Sequence, residues 1–497
     1  MKTRIVRKHL LGVAIACCLA APAMAQNTAI IQQTSTAGSV EGNLAEINQT
    51  HRGAQANLAI IDQAGEANES LLRQDGTWLE AYNFVTGDEN LSRIEQFEDW
   101  HIASSEISGN DNTLTVTQSG FWNEATLAIN GDVNDIDVRQ QGDRNEAFVT
   151  LNGDMNWSEV EQSGNTNWSN SSFSGQNNFF SSVQQGNNNE SAILNGVGNA
   201  NTVVVEQNGN GNVGGIVGLN GDNNQTSIQQ TGGSNVFIAF DVQGNDNYID
   251  VFQNGNANQF IVDPLQGDDN MILVDQVGNA NLVDAPLGLI GNNNLIDVVQ
   301  TGDANTALLA TDGDNHDLTV IQVGNNNNAE MLLGLDANAG YIYSNGDNNE
   351  AVVALFGFDN TADITQRGDD NLAVVDFVGI DNEIGLEQRG NANEAMLTSD
   401  GIVVANQLNV EQQGDINLID MLVAGNGNLI DVLQRGDGNW VGGSDGLLSF
   451  NVAGNSGSVS IVQQGNDNVV LGGQYSNNSV LSVTQVGDFN TAIVNQN

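Results

Sequence analysis

The most regularly spaced side chains in this sequence are amides. Gln118, Gln140, Gln162 and Gln184 stand 22 residues apart. Each is followed two residues later by glycine (Gly120, Gly142, Gly164, Gly186) and five later by asparagine (Asn123, Asn145, Asn167, Asn189). The cell continues at Gln207, Gln230, Gln253, Gln276, Gln300, Gln322, Gln366, Gln388, Gln412, Gln434, Gln463 and Gln485, with Ser344 in one slot. Upstream, Gln96 and Gln74 keep the phase, although Gln96 lacks the glycine and Gln74 the asparagine. An amide neither ionises nor attacks; it donates and accepts hydrogen bonds at once. Stacked in register, each amide can bond to its copies above and below. Buried alone, it leaves groups unpaired at about 1–3 kcal/mol each.

Groups suited to catalysis are scarce. Cys17 and Cys18 fall in the leader described below, and His51, His101 and His316 stand at unrelated repeat phases. The pattern G-x-S-x-G occurs once, as Gly442-Gly443-Ser444-Asp445-Gly446 within a Gly-rich segment, and no histidine is paired with its serine. Carboxylates are too common in the corners to nominate a dyad, and Arg139 and Arg144 read as isolated outward charges, not as the basic cluster a polysaccharide lyase needs. Trp78, Trp100, Trp122, Trp157, Trp168 and Trp440 could stack on sugars, but Trp122 and Trp157 occupy different slots, so no regular sugar-binding stripe is expected. The expectation is a protein with no catalytic residue, cofactor or dedicated metal site.

Charge narrows the partners. With 61 acidic residues against 12 basic, a net −49, the chain is no general nucleic-acid binder. Many corners read G-D-x-N, as at Gly131-Asp132 and Gly153-Asp154. Stacked carboxylates repel by about 1 kcal/mol per pair even in water. They serve either as a solubilising surface that restrains clumping or as weak Ca²⁺ ligands; the calcium β-roll nonapeptide is absent. Self-association should speed up with salt.

The elements that position the amides follow from the residues between them. Residues 1–25 read as a secretory signal: basic Lys2, Arg4, Arg7 and Lys8, an apolar run, and Ala23-Met24-Ala25 before Gln26. No integral membrane span is expected, since this run is too short. Removing the leader takes both cysteines and leaves eight arginines against 61 acidic residues, a net charge of −53. A second cell, G-x-x-N, lies half a period away at Gly131-Asn134, Gly153-Asn156 and Gly175-Asn178. Between cells the side chains alternate, as in Asn134-Asp135-Ile136-Asp137-Val138-Arg139-Gln140, the mark of a strand with one buried face. One repeat is therefore strand, corner, strand, corner. Insertions collect between each Gln and the following Gly, where Pro264 and Pro286 also fall.

A single turn cannot bury its inner face; stacking identical turns in parallel does so. The predicted fold is all-β: one long parallel β-solenoid of about 18–20 rungs, strand-turn-strand per 22–24 residue repeat, a rod on the order of 90 Å at about 4.8 Å per rung. The expected organisation is signal 1–25, an irregular N-terminal segment or partial cap 26–62, and a repeat solenoid 63–497 with an expanded loop in 438–456.

The unit Gln118-Ser119-Gly120-Phe121-Trp122-Asn123-Glu124-Ala125, matched at Gln140–Ala147, Gln300–Ala307 and Gln388–Ala395, resembles the curlin-associated repeat of curli amyloid subunits. The resemblance implies a secreted structural protein on the surface of a Gram-negative-type bacterium. Such a protein would be a pilus- or fimbrium-like amyloid fibre subunit for adhesion and biofilm, associating end to end. It also implies a nucleator subunit and outer-membrane secretion machinery as partners. Three departures stand out. The repeats number 18 or more against about five, the second arm carries Ile129 or Leu151 where the family has Gln, and Gln26 to Asn43 is not the Gly-rich secretion segment.

Two readings of function compete with each other, a polymerising subunit and a monomeric solenoid adhesin. The last repeat, Gln485 to Ala492, keeps the pattern where a cap would be atypical. An open rung is an edge that templates another molecule, which favours polymerisation. An ice-binding array conflicts with Thr126 and Asp137 in equivalent outward positions.

Overall fold

The computed structural model describes residues 26–35, 42–51, 55–444 and 449–497; the expected signal segment 1–25 lies outside them. The chain winds into an all-β parallel solenoid of about 20 rungs.

One turn shows the construction. Thr113–Phe121 is a strand, Trp122 and Asn123 turn the corner, and Glu124–Asn130 returns as a second strand. Residues 131–134 then close the turn before Asp135–Asp143 begins the next. Leu114, Val116 and Gln118 point inward from one strand, and Ala125, Leu127 and Ile129 from the other; all are buried. The alternation works because successive side chains leave opposite faces of a strand.

Register carries the repeat upward. Gln140 lies against Gln118 and Gly142 against Gly120. On the other arm Leu151 lies against Ile129. Two long parallel sheets result, facing each other across a narrow core, with a short three-stranded sheet of Gly357–Phe358, Gly379–Ile380 and Val403–Val404 beside them. The glutamine sheet has 20 strands and runs from Leu44–His51 to Val480–Val486. The second sheet runs from Thr28–Thr34 to Thr491–Gln496.

Glycine is fixed at the corners by close approach as well as by dihedral angle. Gly131 has φ 142°, and a Cβ there would run into the carbonyl oxygen of Gly153 one rung on. Gly120 meets Gly142 in the same way. In the rung of Gln96, which lacks the glycine, Glu98 takes a positive φ of 75° instead.

Length variation sits on the second sheet. Its strands split into Gln259–Val262 with Leu265–Gln266 around Pro264, and Leu282–Ala285 with Leu289–Ile290 around Pro286. Trp440–Gly442 and Phe450–Val452 flank the longest insertion; of the loop expected in 438–456, residues 445–448 lie outside the described residues. The glutamine sheet takes no such interruption, because its inward amides must meet. The strands Thr28–Thr34, Leu44–His51 and Leu58–Ala64 extend the stack with unequal offsets. Thr28 pairs with Leu58, and Leu44 with Glu69.

Candidate functional site

The glutamines of the first sheet form a column with one polarity. Gln118 Nε2 donates to Gln140 Oε1 at 2.8 Å, Gln140 to Gln162 at 2.9 Å, and Gln162 to Gln184 at 2.9 Å. The column continues through Gln207, Gln230, Gln253, Gln276, Gln300 and Gln322. It resumes from Gln366 through Gln388, Gln412, Gln434 and Gln463 to Gln485. Below Gln118 it reaches back through Gln96 and Gln74 to Gln49. The second N–H of each amide crosses the core, as Gln118 does to the Ile102 carbonyl at 3.0 Å and Gln140 to that of Glu124 at 3.0 Å. An interior glutamine such as Gln118 thus ties its own strand to three others. At the one interruption, Ser344 Oγ donates forward to Gln366 Oε1 at 3.1 Å, while Gln322 still accepts from Gln300 and its Nε2 keeps only the bond to the Thr306 carbonyl.

Asparagines do the same work at both corners. Asn145 N–H donates to Asn123 Oδ1 at 2.9 Å, Asn167 to Asn145 at 3.1 Å, and Asn189 to Asn167 at 3.0 Å. Their own Nδ2 groups reach the next glycine carbonyl: Asn123 to Gly142, Asn145 to Gly164, Asn167 to Gly186. At the opposite corner Asn112, Asn134 and Asn156 bond to the carbonyls of Gly131, Gly153 and Gly175.

Several members of these columns were not readable as such. His101 and His316, expected at unrelated phases, each replace a corner asparagine. His101 Nδ1 accepts the Asn123 N–H at 3.2 Å while its Nε2–H donates to the Phe97 carbonyl at 2.7 Å. Asn338 N–H approaches His316 Nδ1 at 3.3 Å. Burial holds both imidazoles below the ordinary histidine pKa, with nearby carboxylates opposing the shift. The only signal for them was distance from the flanking glutamines, since the residue type differs.

The corner aspartates are likewise part of the lattice. Asp132 Oδ1 accepts the backbone N–H of Asn110 at 2.7 Å, Asp154 that of Asp132 at 2.9 Å, and Asp222 that of Asn199 at 2.7 Å. Asn165 serves Asp143 identically at 2.9 Å. An Asp and an Asn each present one suitable oxygen, which explains why they interchange at this slot. Where an asparagine stands between aspartates it separates like charges, as where Asn199 Nδ2 donates to Asp222 Oδ1 at 3.1 Å, whereas Asp132 and Asp154 stand on adjacent rungs.

On the outer face, burial raises Asp135 and Asp137 above the usual carboxylate range. Asp137 and Glu159 add to the shift at Asp135, and at Asp137 the paired Arg139 opposes the shift. Among the described residues, no group of three His, Cys, Asp or Glu side chains could hold a metal ion, and no helix is long and apolar enough to cross a membrane.

The curlin-associated repeat model matches residues 109–140, 131–164, 244–278, 291–324 and 357–390. Each match opens on a glycine of the second corner, and four of them close about one and a half turns later on a glycine of the glutamine corner. No curated protein matches the chain.

Proposed function

From a chain that carries curlin-associated repeats in five matched segments, we propose a structural, non-catalytic subunit of an extracellular curli-like amyloid fibre that contributes to cell adhesion and biofilm matrix. In this reading the chain is secreted to the cell surface and joins other copies end to end. A nucleator subunit and outer-membrane secretion machinery are its further partners. The observation that carries the reading is the uniform polarity of the glutamine column. From Gln49 to Gln322, and again from Gln366 to Gln485, every bond between amides runs from the lower-numbered rung to the higher. A rung from a second copy therefore offers the same donors, acceptors and apolar face as the next rung of the same chain, and the solenoid geometry is compatible with such stacking.

The acidic outer faces work against side-by-side clumping and leave stacking as the favoured contact. The test is to purify residues 26–497 and follow fibre growth by microscopy and fibre diffraction. Fibres with a reflection near 4.8 Å support the proposal. A rod that stays monomeric supports a second reading, a solenoid adhesin, which is favoured by the fact that one chain already stacks about 20 rungs on itself.

A further inference from the structure

Three of the tryptophans share one corner. Trp78, Trp100 and Trp122 occupy consecutive rungs, and their rings stack at 4.0 Å and 26°, then at 4.5 Å and 12°. All three hold left-handed backbones, with φ of 59°, 68° and 64°. The corner demands that conformation of every occupant, and the next rungs fill it with Arg144 and Thr166. An L-residue there costs roughly 1–2 kcal/mol, and only Asn and Asp offset this by local hydrogen bonding. Indoles at three successive such positions are an expensive choice for a corner, which directs attention to what they present outward.

The pile remains open to solvent. Trp122 is 52% exposed and Phe121 beside it 45%. These two line a cavity of about 440 Å³ whose remaining walls are Asp143, Arg144, Asn165 and Thr166. One wall is flat, aromatic and apolar; the other carries a carboxylate, a guanidinium, an amide and a hydroxyl. Arg144 takes part in no ion pair among the described residues, so its donors face the cavity uncommitted.

We propose that this corner is a carbohydrate site that takes a neutral hexopyranose unit of a glycan chain. A pyranose has the same two-sidedness as the cavity: a C–H face that lies on the Trp122 indole, and ring-edge hydroxyls that meet Asp143, Arg144 and Thr166. A flat aromatic ligand would stack on Trp122 but leave the polar wall desolvated without partners. A cation held by the indole would lie beside the Arg144 charge. The Trp78–Trp100 stack beneath buttresses Trp122 and fixes its plane before the sugar arrives, so less freedom is lost on binding. The site lies on a single chain and does not depend on polymerisation.

Calorimetric titration of the chain with cellohexaose and with β-1,4-galactohexaose tests it. Saturable binding of at least one, in roughly the millimolar range, is expected. Trp122→Ala and Arg144→Ala should each weaken it tenfold or more, and Trp157→Ala, an exposed tryptophan on another face, should leave it unchanged. Because Arg144 is an exposed corner residue, its variant remains informative if Trp122→Ala disturbs the stack. No saturable binding of either oligosaccharide, equal binding by Arg144→Ala, or binding of the planar dye thioflavin T alone at this corner would overturn the proposal.

Discussion

In the glutamine sheet the last inward position of each strand is Gln from Gln49 to Gln485, broken by Ser344 alone. The matching position of the second sheet reads Gln33 and Gln63, then Val85, Ile107, Ile129, Leu151 and Phe173. Amides return there at Gln474 and Gln496. Both arrangements stack, for different reasons. An apolar column has nothing to satisfy and tolerates a change of residue at any rung. An amide column must be continuous, or each boundary needs a substitute partner. The structure supplies one where Gln63 faces Val85: its Nε2 turns to Ser70 Oγ at 2.7 Å. Gln474 turns likewise to Ser479 at 2.8 Å, leaving its own Oε1 without a partner. The sheet with the continuous column keeps its strands whole, and the sheet without it absorbs the insertions.

This contrast predicts unequal responses to substitution. The largest loss should follow Gln140→Leu, which orphans Gln118 Nε2 and Gln162 Oε1 at about 1–3 kcal/mol each; denaturant midpoints should drop accordingly. Gly131→Ala forces a methyl into the Gly153 carbonyl and should cost about 1–3 kcal/mol, seen as faster amide exchange in the adjoining rungs. Leu151→Gln buries a lone amide in the apolar column at a similar cost of about 1–3 kcal/mol. Adding Ile129→Gln should return part of that loss, because two adjacent amides can bond to each other; a double-mutant cycle reads the coupling. Ile129→Val, which removes one methyl, should cost only about 0.5–1.5 kcal/mol.

Acid should act locally at the two histidines. Their folded pKa values lie below the unfolded value, so the neutral imidazoles are favoured by folding. That contribution is complete above pH about 6.5 and is lost as pH falls through the folded values. Amide exchange around His101 and His316 should therefore accelerate below that pH, while His101→Asn restores the corner amide and removes the dependence at that rung.

Legibility in the sequence followed chemical identity. The columns of Gln118 and Asn123 were readable because the same residue recurs at the same offset, and the solenoid follows from that recurrence with the alternation of Ile136 and Val138. Residues that share a place but not a type were not. His101 stands in for an asparagine by offering one ring nitrogen. Gln63 and Gln74 stand only 11 apart because they belong to opposite sheets, half a turn from each other. Corner aspartates read as surface charge because a backbone N–H from the neighbouring rung has no sequence signature. The 22-residue spacing of Trp78, Trp100 and Trp122 was visible, and comparison with Trp157, which lies on a strand instead of a corner, concealed it.

The claim beneath all of this is that blocks 22 residues apart lie directly over one another. Residues 26–497 contain no cysteine, so paired cysteines test it without background. Thr126→Cys with Phe148→Cys places two outward thiols on facing positions of adjacent rungs, within the Cα separation of about 4.4–6.8 Å that a disulfide accepts. Thr126→Cys with Thr150→Cys offsets them by two residues. The account predicts efficient oxidative cross-linking of the first pair and little of the second; equal yields, or preference for the offset pair, would contradict it.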